Sequence, residues 1–144
     1  MKNQINNRWL FRGICKSSKK FVYGSVWEYT PTNMPKRTMI RDNKCVDYEI
    51  DPTTIGQCTG LTDKNGTLIY EGDVVKCENW EYNEFYIFYS EHFQRLHLMP
   101  LSEGRLKNDY GRLGVHIFEW IHPEMSLEII GNIHDNSVDS VSTT

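Results

Sequence analysis

Ile55-Gly56-Gln57-Cys58-Thr59-Gly60-Leu61-Thr62-Asp63-Lys64-Asn65-Gly66-Thr67-Leu68-Ile69-Tyr70-Glu71-Gly72-Asp73-Val74-Val75-Lys76 is the stretch whose reading decides the fold. Asn65-Gly66 is the dipeptide that best tolerates positive φ at both central positions of a tight turn, so the chain is expected to reverse there before Leu68-Ile69-Tyr70. Glu71-Gly72-Asp73 is a second turn signal and leads directly into Val74-Val75-Lys76-Cys77. Glycine, turn and strand in this succession are common in small, strongly bent β-barrels, where a glycine relieves the corner.

The same alternation of strand and turn extends to either side. Trp9 to Cys15 and Phe21 to Trp27 are rich in aromatic and β-branched residues and are separated by Lys16-Ser17-Ser18-Lys19-Lys20, which reads as strand, polar turn, strand. Pro31 and Pro35 push their preceding residues out of the α region, so residues 30–38 read as a loop. Val46, Tyr48 and Ile50 alternate with Asp47 and Glu49, the period of a half-buried strand. Phe85 to Tyr89 is apolar on both faces, a strand buried on both sides or left as an edge that pairs at an interface. Ser90-Glu91 turns it into Phe93 to Leu98. Residues 102–114 read as a surface loop, Val115 to Ile121 as a strand or short helix, and Leu127 to Ile133 as the last strand. The expectation is a mainly β, bent, barrel-like domain over residues 1–136, with corners at Gly13, Gly24, Gly60, Gly72 and Gly131. It carries at most one or two short helices, one of them between about residues 110 and 125, with α+β as the alternative. Residues 137–144 form a short polar tail.

The chain has 144 residues, 39% of them hydrophobic and 24% charged, which places it among folding chains of single-domain size and away from disordered ones. Its net charge of −3 conceals a split. Residues 1–44 hold ten Lys and Arg against two acids, and residues 45–144 hold six against 17. A basic first third reads as a surface for an anionic partner, or as one that docks on the acidic remainder of its own chain or of a neighbouring subunit. There is no apolar run of signal-peptide or membrane-span length, so no membrane role is expected. Cys15, Cys45, Cys58 and Cys77 lie far apart without a Cys-x-x-Cys pair, and they read as free thiols, most of them buried.

Tests for catalytic chemistry find no constellation. Gly56-Gln57-Cys58-Thr59-Gly60 has the spacing of a nucleophile elbow, but a turn follows it where a helix is required. His92 and His97 are spaced wrongly for a shared metal, and Asp63-x-Asn65-Gly66 fails as a calcium loop because its twelfth position is Val74. Glu71 and Asp73 read as turn residues. No enzyme, no metal and no cofactor are expected.

Basic residues interleaved with aromatics carry the remaining functional signal. Lys16, Lys19 and Lys20 share one turn, Lys36, Arg37, Arg41 and Lys44 follow a loop, and Trp9, Phe11, Tyr23, Trp27 and Tyr29 lie nearby. The candidate surface for an anionic partner is Lys16, Lys19, Lys20, Lys36 and Arg37.

Phe11-Arg12-Gly13, Val22-Tyr23-Gly24-Ser25, Ile55-Gly56-Gln57 with Thr59 to Gly66, Ile69 to Val75, and Glu128 to Asn136 stand in the order seen in a known family. On these motifs the chain resembles the YopX family of small phage and prophage proteins. Cys58 stands where that family more often has an aromatic, and residues 78–125 carry no motif of the resemblance. The resemblance implies a protein made in the bacterial cytoplasm during phage growth or from a prophage, and it supplies no catalytic residues. The expected function is that of a non-enzymatic phage accessory protein acting by protein binding and homo-oligomerisation. The alternative is a small nucleic-acid-binding barrel that uses the basic first third.

Overall fold

In a computed structural model of the protein, residues 7–77, 84–91, 94–100, 115–116 and 126–135 are described. The chain divides into two compact units, Met1–Gly60 and Leu61–Thr144.

In the first unit a 3-10 turn over Asn7–Trp9 leads into β1 (Phe11–Ile14), β2 (Phe21–Tyr29), β3 (Arg37–Arg41) and β4 (Asp47–Glu49). A second 3-10 turn over Pro52–Thr54 precedes β5 (Gly56–Thr62), which crosses the boundary at Gly60. The strands are antiparallel in the order β4-β3-β2-β1-β5. Asp51 starts the second turn as its side chain accepts the Thr53 N–H, and Pro52 has no N–H to lose there. Thr54 Oγ1 then accepts the Ile14 N–H at 2.8 Å, tying the turn to β1.

Two glycines let this sheet curl. Gly13 faces Ile50, whose Cδ1 stands 2.7 Å from the point a Cβ would occupy, and Gly24 lies so close to Arg41 that a Cβ would run into that residue's carbonyl. The curl brings the end of β1 to the residues after β4. Cys15 bridges Ile50, flanked by Lys16 N–H to the Glu49 carbonyl and Asp51 N–H to the Ile14 carbonyl, both at 2.9 Å. The concave side buries Ile40 and Ile50 completely, each stabilising the fold by about 1.5–3 kcal/mol. Neither sheet closes along its length, so the protein is mainly β as expected and barrel-like only loosely.

In the second unit β5 turns back into β6 (Leu68–Tyr70). A five-stranded antiparallel sheet follows, built from β7 (Asp73–Cys77), β8 (Glu84–Ser90), β9 (Arg95–Pro100), β10 (Val115–His116) and β11 (Leu127–Asn132) in the order β10-β9-β8-β7-β11. Alternate residues of three strands, Val75 with Cys77, Phe85 with Ile87 and Leu96 with Leu98, form one core with Ile69 and Leu127. On the opposite side of the sheet Phe88 packs against the buried His97, with ring centroids 5.3 Å apart.

The reading of Phe85 to Tyr89 as an exposed edge is corrected by this topology. β8 is hydrogen-bonded to β7 on one side and to β9 on the other. It is central by this pairing, with Phe85 and Ile87 buried on one face and Tyr86 and Phe88 half-buried on the other.

The turn at Asn65-Gly66 also differs from expectation. Only Gly66 has positive φ (+82°), and the bonds Gly66 N–H to the Asp63 carbonyl and Asp63 N–H to the Thr67 carbonyl define a three-residue loop with its glycine in the left-handed position. The reason is Asp63, which is buried and accepts the N–H groups of Asn65 and Thr67 on Oδ1, both at 2.9 Å. Its Oδ2 accepts the Ile129 N–H at 3.2 Å, and Lys64 N–H donates to the Leu127 carbonyl. The edge of β11 is covered in this way. At the next turn Asp73 Oδ2 accepts the Tyr70 N–H, while Gly72 (φ +88°) donates to the Ile87 carbonyl and accepts from Ile133. These turns therefore have the fold-defining role expected of them.

Strand β3 begins within the stretch expected as a loop, at Arg37, and residues 115–116 are strand. The loop over residues 102–114, the remainder of the possible helix at 110–125 and the tail at 137–144 lie outside the described residues. Among the described residues the only helical segments are the two 3-10 turns, and no helix is long and apolar enough to cross a membrane.

Candidate functional site

Successive side chains of a strand point to opposite faces, so Phe21, Tyr23, Ser25, Trp27 and Tyr29 share one face of β2. That face is the convex side of the first sheet, away from Gly13, Ile40 and Ile50. Phe21 and Tyr23 have ring centroids 6.4 Å apart, and Trp27 and Tyr29 have theirs 6.2 Å apart. Ser25 leaves a gap between the two pairs. Tyr23 and Tyr29 are 47% and 46% exposed, so both present ring surface to solvent.

Cations flank this ladder in register. Arg12 stands opposite Tyr23 on β1, and its guanidinium lies 4.4 Å from the Phe21 ring centroid while the residue itself is buried. Arg41 stands opposite Ser25 on β3 and lies 5.5 Å from the Trp27 centroid. Each arrangement holds a positive charge against the negative face of an aromatic ring. Arg41 also grips Asp47 on β4 with two bonds of 2.9 Å, and the Trp27 indole N–H donates to the same carboxylate at 3.0 Å.

The five cations singled out in the sequence do not form one patch. Lys16 and Arg37 meet across Glu49, at 3.7 and 3.0 Å from its two oxygens. Lys36 pairs with Glu28, on the side of β2 opposite the aromatic ladder, at 3.0 Å. Lys19 and Lys20 occupy the β1–β2 turn, both exposed, with no carboxylate in ion-pair distance among the described residues. Lys19 has φ +61°, a conformation that favours Gly or Asn. Complementarity between the basic first third and the acidic remainder thus holds for Lys16, Arg37 and Arg41, while Lys36 pairs with an acid of the basic third itself and the turn lysines form no ion pair with a described residue.

Phe11 is opposite Gly24 and so belongs to the other face, and Trp9 lies outside the ladder in the first 3-10 turn. Sequence reasoning named Arg41 among the basic residues without placing it, and it missed Phe21 and Arg12. The two-residue period of Phe21, Tyr23, Trp27 and Tyr29 was the signal available for Phe21. The places of the two arginines depend on strand register.

The electrostatics of the face follow from these contacts. The hydrogen bond from Arg41 holds the Asp47 carboxyl below the ordinary carboxylate range, helped by the Trp27 indole and opposed by partial desolvation. Glu49 is held low by its hydrogen bond from Arg37, with Lys16 adding charge attraction. At the foot of the turn Cys15 Sγ lies 3.3 Å from Ser17 Oγ, and this contact, with the Ser18 backbone, brings the thiol down to about 7 against the effect of burial. As pH falls through the lowered Asp47 value, the carboxylate that Trp27 and Arg41 share is lost. The Trp27 indole N–H resonance is therefore expected to titrate with a midpoint below the ordinary Asp value of 3.8. A midpoint at the ordinary value would show that the pairing is not formed in solution.

Cys58 lies in the middle of β5, buried, where a nucleophile elbow needs an exposed turn into a helix. Asp63 spends both carboxylate oxygens on backbone N–H groups, which makes it a turn residue. Among the described residues no group of three or more His, Cys, Asp or Glu is placed to hold a metal ion. Cys15, Cys45, Cys58 and Cys77 are free thiols, and only Cys45 is exposed.

The fold defines a class: a mainly β protein of open antiparallel sheets. The chain belongs to the YopX family, whose model, described as YopX protein, matches residues 10–138. No curated protein matches the chain.

Proposed function

We propose that the protein is a phage or prophage accessory protein that works by binding, without a catalytic step, and that the convex face of the first sheet takes up an anionic macromolecule in the cytoplasm of the bacterial host. The observation that carries this reading is the aromatic ladder of β2 with the uncovered Lys19 and Lys20 at its end. Membership of the YopX family supports the phage context through the resemblance described above. The polyanion heparin, as a labelled oligosaccharide followed by fluorescence anisotropy, is expected to bind at low salt and to be released as salt rises. Absence of binding to any polyanion at low salt would remove the reading.

Self-association is a second reading. It no longer has the Phe85 to Tyr89 edge in its favour and rests on the opposite charges of residues 1–44 and 45–144. Light scattering on the same samples tests it: a mass that falls with salt supports it, and a monomer at every salt concentration removes it.

A further inference from the structure

We propose, resting on the binding reading above, that the ligand of this face is single-stranded nucleic acid, its bases stacked on Tyr23 and Tyr29 and its phosphates drawn by Lys19 and Lys20. Every base has a π-face, and a single strand can splay its bases onto successive aromatic side chains, whereas a duplex keeps those faces inside its own stack. The ladder offers such side chains at two-residue intervals along one strand, with the two exposed tyrosines on either side of the Ser25 gap. Trp27 is braced from one side by Arg41 and tied to Asp47, so it serves as a support for Tyr29.

Charge argues for the same occupant. Asp47 and Glu49 offset most of the charge of Arg41, Arg37 and Lys16, and Arg12 is buried, so the middle of the face exposes little unpaired charge. An acidic peptide or a duplex, held by charge alone, finds at this end of the ladder the turn lysines and no stacking surface of its own to add. A single strand adds stacking, and its binding is dominated by the rings, with a shallow salt dependence. Two phosphate contacts correspond to a log–log slope of about −1.4.

The experiment titrates the full chain against labelled oligo(dT), oligo(U), a DNA duplex of equal length and the heparin oligosaccharide, at several salt concentrations. Oligo(dT), oligo(U) or both are expected to bind more tightly than the duplex, and the tighter of the two identifies DNA or RNA as the source. Tyr23→Val and Tyr29→Val keep a strand-forming residue and remove the ring, and each is expected to weaken oligonucleotide binding roughly 5- to 100-fold while leaving heparin binding unchanged. Lys19→Asn with Lys20→Gln, where Asn suits the left-handed backbone of position 19, is expected to reduce the salt slope by about 1.4. Tyr89→Ala, an exposed tyrosine of the second unit, is expected to change nothing. Native circular dichroism of each variant shows that the fold is intact. Duplex or heparin bound as tightly as single strands, or tyrosine variants with unchanged oligonucleotide affinity, would overturn this inference and leave anionic binding standing. Failure of all four probes would remove both.

Discussion

Gly24→Ala is expected to destabilise the protein by about 3 kcal/mol or more, the largest effect among Gly13, Gly24 and Gly66. The Cβ would be driven into the Arg41 carbonyl and against Asp42 Cα, and these are backbone atoms that cannot rotate away. The glycine also has φ +157°, at the margin of what an L-residue adopts. Two comparisons isolate the cause. At Gly13 the nearest neighbour is Ile50 Cδ1, the far end of a flexible side chain, so Gly13→Ala should cost about 1–2 kcal/mol. At Gly66 the added Cβ meets nothing within 4 Å and only the φ of +82° opposes it, so Gly66→Ala should cost about 1 kcal/mol. Urea unfolding midpoints rank the three variants, and amide hydrogen exchange in β2 and β3 locates the damage. A Gly24→Ala protein as stable as the Gly66→Ala protein would refute the close approach of Gly24 to the residues at the end of β3.

Asp63→Ala is expected to cost about 3 kcal/mol, because it strips the acceptor from the N–H groups of Asn65, Thr67 and Ile129 at once. Asp63→Asn keeps Oδ1 for the turn but presents an amide NH2 toward Ile129, so it should fall between the wild type and alanine. Burial alone would push this carboxyl up; the donated N–H bonds of Thr67, Ile129 and Asn65 together outweigh it and hold the group below 3.8. A folded-state value below the unfolded one contributes stability that is present above the unfolded value and lost as pH falls through the folded one. The wild type should therefore lose stability below about pH 4 more steeply than Asp63→Asn does. Parallel acid limbs for the two proteins would show that the carboxylate is not the group that anchors β11.

This anchoring gives a physical content to motifs that first stood only as a resemblance. Thr62 to Gly66 and Glu128 to Asn132 are far apart in sequence, yet Asp63 and Lys64 bond the β11 backbone directly and Lys64 pairs with Glu128 at 3.0 Å. Asn132 stands opposite Asp73, and Ile133 donates to the Gly72 carbonyl, so the last motif also seats on the second turn. Gly13 and Gly24 belong to the two opening motifs and allow the first sheet to curl. The motifs that carry the resemblance thus define turns, a close side-chain contact at Gly13 and a close approach of backbone at Gly24.

Much of the candidate face was legible in part. Alternation along Phe21 to Tyr29 states that those residues share a side, and the Lys16 to Lys20 turn was read correctly as the link between two strands. The grouping of five cations into one surface was not what the fold made of them. Lys36 and Arg37 are adjacent in the chain, but consecutive residues of extended backbone point apart, and they found Glu28 and Glu49 on different sides of the sheet.

The sequence by itself determined that this is a mainly β protein of the YopX family, that its chain reverses about Asn65-Gly66 and Glu71-Gly72-Asp73, and which residues of each strand share a face. Those properties are local: a two-residue period, a glycine at positive φ, and an aspartate beside the N–H groups of its own turn. Only the tertiary structure decided that β8 is central, that β5 lies beside β1 and β11 beside β7, that Arg12 is buried over Phe21, and that Lys16, Lys36 and Arg37 find carboxylates while Lys19 and Lys20 stay exposed. Alternation tells a strand which face to bury but not which neighbour to take. That choice is settled by the summed burial and hydrogen bonding of segments far apart in the chain, set against the entropy of closing the loops between them.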